Sequence, residues 1–432
     1  MIVQNLNGLQ VAKTPNALTS FAGLPLLLGM AERLKLPQKL NSISGLKVRQ
    51  RGYSVADHVL SLAMTLIAGG RDLDDVERLK HDAGLSDLLE NSMFPCANTL
   101  GEFLRRFDQS SIWKLGEINA GLVRTLIAQR KLSRMTLDLD ATLIESYKQE
   151  AHKAYNGVYG YDPLLLWIPE LNVFLSGLLR DGNIAPQSHN ASLLRKALRL
   201  LPEDLSLRFR SDSAGYQAKV VEVCQRRGIE FTIRARMNPA IESIISRLKK
   251  KDWKVLARGA EVYLIAESVH APFENDKLPA YRLIVTRKIR SQLELFESPI
   301  QDRAILSNLP EEFSTEDVFN FYNGRGADEK AIGELKNGFG ASKVPCKEFL
   351  ASAAHFQIAL LSYTLTQAFK IFCLPESWFR FSIQTLRYRL FGQAALIVRH
   401  ARRFLLKLSD SYLYFSVFDQ ARGSLFAPFP SG

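Results

Sequence analysis

Cysteine is scarce and scattered. Cys96, Cys224, Cys346 and Cys373 stand far apart, with no CxxC pair and no CxxC…HxxxH spacing. That argues against a zinc finger or a disulfide framework and makes a reducing cytoplasm the natural setting. The seven histidines are equally dispersed. Phosphate-cradling glycine motifs are missing too: neither GxGxxG nor GxxxxGK[ST] occurs, so no nucleotide cofactor is implied. The chain also lacks a long apolar run free of polar residues. Its best membrane suspect, Phe349 to Leu374, has no formal charge until Lys370 but carries Ser352, His355, Gln357, Ser362, Thr364, Thr366 and Gln367. That is a heavy polar load for a lipid-facing span, so a buried core helix and no membrane segment are expected. The first twenty residues lack the basic-then-apolar layout of a secretory signal. No internal repeat or low-complexity tract is visible.

What the chain has in surplus is positive charge. Lys and Arg number 56 against 44 Asp and Glu, a net +12 over 432 residues. Such an excess favours a polyanionic partner, nucleic acid before membrane, although solubility alone could produce it. At 47% hydrophobic and 23% charged the chain suits a soluble globular protein, and its length suits two to four domains.

Residues 1–130 read as helical. Tyr53 to Gly70 places apolar residues at helical spacing and stops at Gly69-Gly70; Asp72 or Asp74 then caps a short helix. Asn98 to Phe107 reads as a helix begun by a capping Asn98 and ending in Arg105 and Arg106. Short helices with a basic last member suit a helix-turn-helix DNA-binding module, and a bundle that only packs suits them equally. From Leu132 the pattern changes. SRMTLDLDAT alternates like a strand, and two strands flank a turn at Pro169 to Asn172. A helix, a strand ending in LSLRFRSD, another helix and the strand EFTIRARM follow. Three strands, a helix, then strand-helix-strand is the order of a ribonuclease-H-like mixed α/β core. Residues 250–307 turn β-rich and read as an insertion into that core; from Ser314 onward the chain reads as helical. Trp378 to Leu408 carries seven basic residues (Arg380, Arg387, Arg389, Arg399, Arg402, Arg403 and Lys407) and no acid. The division expected is therefore 1–130, helical; 131–249, core, first part; 250–307, β-rich insertion; 308–375, core, second part; 376–432, basic and helical.

Three acidic sites stand out by position. Asp138 and Asp140 share one face of a strand, because strand side chains alternate, while Leu137 and Leu139 face the other way. Asp212 ends a strand before Ser213-Ala214-Gly215, where it is either a site residue or the cap of the next helix. The third is Glu329. Tyr322, Arg325, Glu329 and Lys336 are spaced by three, four and seven. In an unbroken α-helix they fall within an arc of about 60°. Gly324 and Gly326 each cost about 1 kcal/mol inside a helix, so close approach of another group, such as a DNA backbone, is expected there. The residues alone equally allow a solvated helix with an Arg325–Glu329 pair.

The spacing Y-x2-R-x3-E-x6-K resembles the signature of bacterial insertion-sequence transposases with a DDE catalytic triad, of the cut-and-paste group with a β-strand insertion. Asp140-Ala141-Thr142 is similar to their first catalytic block and Arg210 to Tyr216 to their second. The resemblance implies catalytic and metal-holding roles for Asp140, Asp212 and Glu329, with Mg²⁺ as cofactor and Mn²⁺ able to substitute. Asp138 would be a neighbouring carboxylate. Tyr322, Arg325 and Lys336 would contact phosphates at the scissile bond. Arg105 and Arg106 would serve DNA-end binding, and Trp253, in the basic run RLKKKDWK, would be a stacking residue or an anchor of the insertion. The implied partners are double-stranded DNA, both element ends and target, and a second copy of the chain in the DNA complex. The implied location is cytoplasmic, on the nucleoid. A ribonuclease-H-like nuclease that cuts without joining, and a non-catalytic DNA-binding descendant, are the alternatives.

Overall fold

The computed structural model describes residues 10–47, 51–89, 94–154, 156–258, 261–273, 278–290, 299–400 and 403–427. Arg402 and the first nine residues, on which the signal and basic-stretch readings partly rest, lie outside them.

The N-terminal region is helical: Leu24–Arg33, Leu36–Asn41, Val55–Ala68, Val76–Lys80, Ala83–Leu88, Ala97–Leu104 and α1, Gln109–Gln129. Val55–Ala68 begins at a capping box between Ser54 and Asp57 and ends where Gly69 adopts φ 107°, a left-handed value suited to glycine. Asp72 forms a capping box with Asp75, as its position predicts. Asn98 does not cap its helix; Cys96 stands at that position, without a side-chain cap bond.

The core sheet is built from β1 (Arg134–Ala141), β2 (Leu164–Ile168), β3 (Val173–Leu178), β4 (Ser206–Ser211) and β5 (Glu230–Ala235). Helix α2 (Asn190–Leu198) precedes β4, and α3 (Ala218–Arg226) links β4 to β5. β1, β4 and β5 run parallel, while β2 and β3 continue antiparallel from β1. This is the strand order expected of the ribonuclease-H-like core. The insertion strands are β6 (Lys254–Arg258), β7 (Glu261–His270), β8 (Tyr281–Arg290) and β9 (Ile300–Ser307). They form no separate sheet. β9 pairs antiparallel with β5, giving one nine-stranded sheet in the order β6-β7-β8-β9-β5-β4-β1-β2-β3.

After the sheet come α4 (Thr315–Asn323), a 3-10 stretch Gly324–Ala327, α5 (Asp328–Gly338) and α6 (Phe349–Cys373). α6 is buried almost throughout and packs on α1 and β3. Some of its polar side chains find partners inside: Gln357 donates to the Gly177 carbonyl (2.6 Å) and Tyr363 to Asn172 Oδ1 (2.9 Å), whereas His355 Nε2 and Thr364 Oγ1 are buried without one among the described residues. Satisfied hydrogen bonds let polar residues enter a core. Among the described residues no helix is long and apolar enough to cross a membrane.

Residues 378–408 are not one basic helix. A short helix, Ile383–Leu386, gives way to strands Ala395–His400 and Arg403–Leu408, which join Leu18–Thr19 in a second sheet; helix Phe415–Leu425 follows. The β-branched Ile397 and Val398 and a waiting N-terminal partner strand override helical patterning there. Arg387 turns inward, its guanidinium donating to the carbonyls of Leu66, Ile67 and Gly338.

Candidate active site

Asp140 stands near the end of β1 with its side chain 20% exposed, enough to meet a ligand. Asp212 follows β4, where its carboxylate accepts from the Ala214 amide at 2.9 Å, capping a 3-10 turn. The cap role and the site role coexist. Both acids open on one cavity of about 280 Å³, whose wall also includes Asp162, Asn190 and Arg236. Asp162 escaped the sequence reading because nothing local marks it. It is held by Arg180 at 2.6 Å, a buried pair between residues eighteen positions apart.

Asp138, on the same strand face as Asp140, is 1% exposed, does not line the cavity and is paired with Arg210. Its two oxygens accept from Arg210 Nε and Nη2, each at 2.6 Å.

The motif helix departs from the unbroken form. The 3-10 stretch Gly324–Ala327 separates α4 from α5, so the four motif residues do not share one straight helical face. In a 3-10 turn residues i and i+3 eclipse. Asp328 accordingly falls over Arg325 (3.6 Å) and is 1% exposed, whereas Glu329 is exposed and does not line the cavity of Asp140 and Asp212. Arg325 also reaches Asp140 at 3.1 Å, bridging strand and helix. Lys336 ties the same two elements, donating to Thr142 Oγ1 (3.2 Å) and the Leu143 carbonyl (2.7 Å). Gly324 is exposed, yet a Cβ there would collide with Arg210 Nη1, while a Cβ at Gly326 would have nothing within 4 Å. Besides Asp162, the sequence reading missed Asp328, and it named Arg210 only as part of a motif, without a role. The one signal for Asp328 was its i+3 offset from Arg325 across Gly326 and Ala327.

Three other predicted residues lie outside this cluster. Arg105 pairs with Glu348 at 3.2 Å, and Arg106 reaches the Leu46 carbonyl at 3.5 Å. Trp253 is partly buried against the main core, with the Arg287 guanidinium 4.4 Å from its ring centroid.

Burial controls the electrostatics. It pushes the Asp140 carboxyl up to about 7, opposed by Arg325 and reinforced by Asp328 and Asp212. Burial likewise takes Asp328 to about 6 against the pull of Arg325. Desolvation thus outweighs the cations present, as expected for carboxylates crowded out of water. One consequence is testable. Folded Asp140 binds its proton more tightly than the unfolded chain does. The resulting stability is complete below the ordinary value of 3.8 and is lost as pH rises through about 7. In chelator, Asp140→Asn is therefore expected to flatten the fall in melting temperature between about pH 4 and pH 8. Parallel melting curves for the two proteins would contradict this.

The model of the family described as Transposase DDE domain group 1 matches residues 4–427. The chain belongs to the DDE transposases. Among solved structures, eight chains match the transposase. One is a piggyBac transposase in a synaptic complex with hairpin DNA, 13% identical, with a TM-score of 0.45, covering 93% of this chain and 82% of that one. No curated protein matches it. Membership implies a DNA-cleaving, transesterifying enzyme, of a family that generally works with divalent metal ions. The donor set suits such ions: Asp140 and Asp212 offer hard oxygen ligands on one cavity. An ion of the Mg²⁺ type is commonly held by one or two carboxylates plus water and phosphate oxygens. Among the described residues no group of three or more His, Cys, Asp or Glu is arranged to hold an ion by itself.

Proposed function

We propose that the transposase binds the terminal inverted repeats of its insertion sequence and carries out cut-and-paste transposition, using Mg²⁺ or Mn²⁺ held by Asp140, Asp212 and Glu329. The observation that supports this most is the cavity shared by Asp140 and Asp212, two acids 72 positions apart in sequence brought to neighbouring strand ends. Divalent ions bound there would activate the attacking oxygen and stabilise the leaving one in an in-line displacement. Asp140 and Asp212 fix the site because they ride on rigid paired strands. Glu329, exposed and outside that cavity, would turn in once DNA and metal arrive. Arg325 and Lys336 line the helix side of the site with positive charge and would orient the phosphates flanking the scissile bond, with Tyr322 beside them. Residues 1–130, with Arg105 and Arg106, are proposed to recognise the element end, and a second copy of the chain to complete the DNA complex.

The test is a DNA end carrying the terminal repeat of the element that encodes the chain. Cleavage and a joined product are expected with Mg²⁺ or Mn²⁺, and end binding without cleavage with Ca²⁺. Full activity in excess chelator would overturn the reading. Cleavage with no joined product under any condition would reduce the enzyme to a nuclease.

A further inference from the structure

The most deeply buried ion pair beside the site has no task in that scheme. Asp138 and Arg210 face each other across β1 and β4, 1% and 5% exposed. A buried pair of this kind is by itself a weak source of stability, since desolvation offsets most of the attraction. Arg210, however, is not spent on Asp138. Its third nitrogen, Nη1, leaves the sheet and donates to the Phe321 carbonyl of α4 at 2.8 Å. The guanidinium also lies 5.0 Å from the Phe321 ring centroid, and Arg208, two residues earlier on β4, approaches the same ring at 5.3 Å. Phe321 stands three residues before Gly324, where the helix tightens into its 3-10 stretch. Any side chain at 324 would strike the same Nη1. The arginine thus enters the helix at the point where its winding changes.

That winding has a geometric effect. A 3-10 helix turns about 120° per residue and an α-helix about 100°. Four residues, Gly324–Ala327, therefore rotate α5 by about 80° relative to an unbroken α-helix, nearly one residue of helical phase. The rotation accounts for Asp328 lying inside, against Arg325, and Glu329 lying exposed.

We infer that the Asp138–Arg210 pair, seated in the notch left by Gly324, is a positioning device that holds the winding of residues 324–327 and so sets which face of α5 meets Asp140 and Asp212. The inference rests on the active-site reading above. Asp138 orients the guanidinium through two bonds, and the guanidinium holds the helix through the third. Lysine in place of Arg210 keeps the charge but cannot span both partners, because an ammonium lacks the planar fork.

The experiment uses the full chain with Arg210→Lys, Gly324→Ala and the double variant. Backbone hydrogen exchange is followed over residues 315–338, with α6 as an internal control, beside end binding and single-turnover cleavage against Mg²⁺ concentration. In both single variants the amides of α5's first turns are expected to exchange about tenfold faster while α6 is unchanged. End affinity should stay within about threefold, while kcat falls and the Mg²⁺ needed for half-maximal cleavage rises about tenfold. In the Gly324→Ala background, Arg210→Lys empties the notch, so the double variant is expected to cleave faster than Gly324→Ala alone. Wild-type exchange and Mg²⁺ dependence in Arg210→Lys would overturn the inference. So would exchange in Arg210→Lys that rises equally in α6, which would make the pair a global brace. If Gly324→Ala fails to fold, Arg210→Lys still decides. A wild-type chain that cleaves no DNA end would sink the active-site reading instead, and the exchange pattern would still judge the positioning role.

Discussion

Asp140→Ala and Asp212→Ala are each expected to lower DNA cleavage and strand transfer by on the order of 10³-fold or more while end binding stays near normal. Both carboxylates open on the same cavity, and neither has a neighbour able to replace it: Asp138 is consumed by Arg210, and Asp162 by Arg180. Removing either should leave the strands intact, because β1 and β4 are held by their paired backbones and by apolar Leu137, Leu139 and Phe209. Glu329→Ala is expected to be equally inactive, with unchanged stability, since the side chain is exposed. Asp328→Asn should instead act on stability first, because its carboxylate is buried against Arg325. Rates for the four variants, beside melting temperatures, separate these roles. An active Glu329→Ala together with an inactive, folded Asp328→Asn would exchange the two residues' assignments. An active Asp140→Ala with an inactive Asp138→Ala would do the same for β1.

Arg325→Ala is expected to have the second largest effect, and on two properties at once. The guanidinium sits between Asp140 at 3.1 Å and Asp328 at 3.6 Å, and all three side chains are mostly shielded from water. Deleting the cation leaves two crowded carboxylates, a loss that costs about 3–5 kcal/mol when one partner of a buried pair is removed. The destabilisation should therefore be large in chelator and shrink with Mg²⁺, which supplies positive charge to the same acids. Cleavage should fall strongly even in Mg²⁺, and the salt dependence of DNA binding should become shallower by about one unit of slope if the arginine neutralises one duplex phosphate. Lys336→Ala is the milder companion, since its ammonium bonds only a hydroxyl and a carbonyl. A change in stability for Arg325→Ala below about 0.5 kcal/mol, the range of ordinary surface substitutions, would show that the bridge is not formed in solution.

The sheet was legible because its signals are local. Alternation in SRMTLDLDAT, the Pro169–Asn172 turn and the β-rich run after residue 250 each mark an element within a few residues, and Asp140 and Asp212 stand out as acids on strands. The motif helix was legible as composition but not as shape. Counting at 100° per residue places Glu329 inward, and only the guanidinium of Arg210, more than a hundred positions away, reveals why residues 324–327 wind more tightly. The close approach expected at Gly324 and Gly326 is met at Gly324 by Arg210, a matter of tertiary packing, and not at Gly326, where a Cβ has nothing within 4 Å. The helical expectation for residues 395–408 failed for a similar reason, because the strand partner Leu18–Thr19 lies near the other end of the chain.

That last pairing bears on how the molecule is made. Leu18 meets Leu396, and Arg33 donates to the carbonyl of Ser424 at 2.7 Å, so segments nearly 400 residues apart close on each other. Contacts of such separation form late, since the chain between them must first be ordered. During synthesis Leu18–Thr19 emerges without its strand partner, which follows only after more than 370 further residues. A chain stopped before residue 395 would carry Asp140, Asp212 and Glu329 yet leave Leu18–Thr19 without the strand it pairs with in the fold.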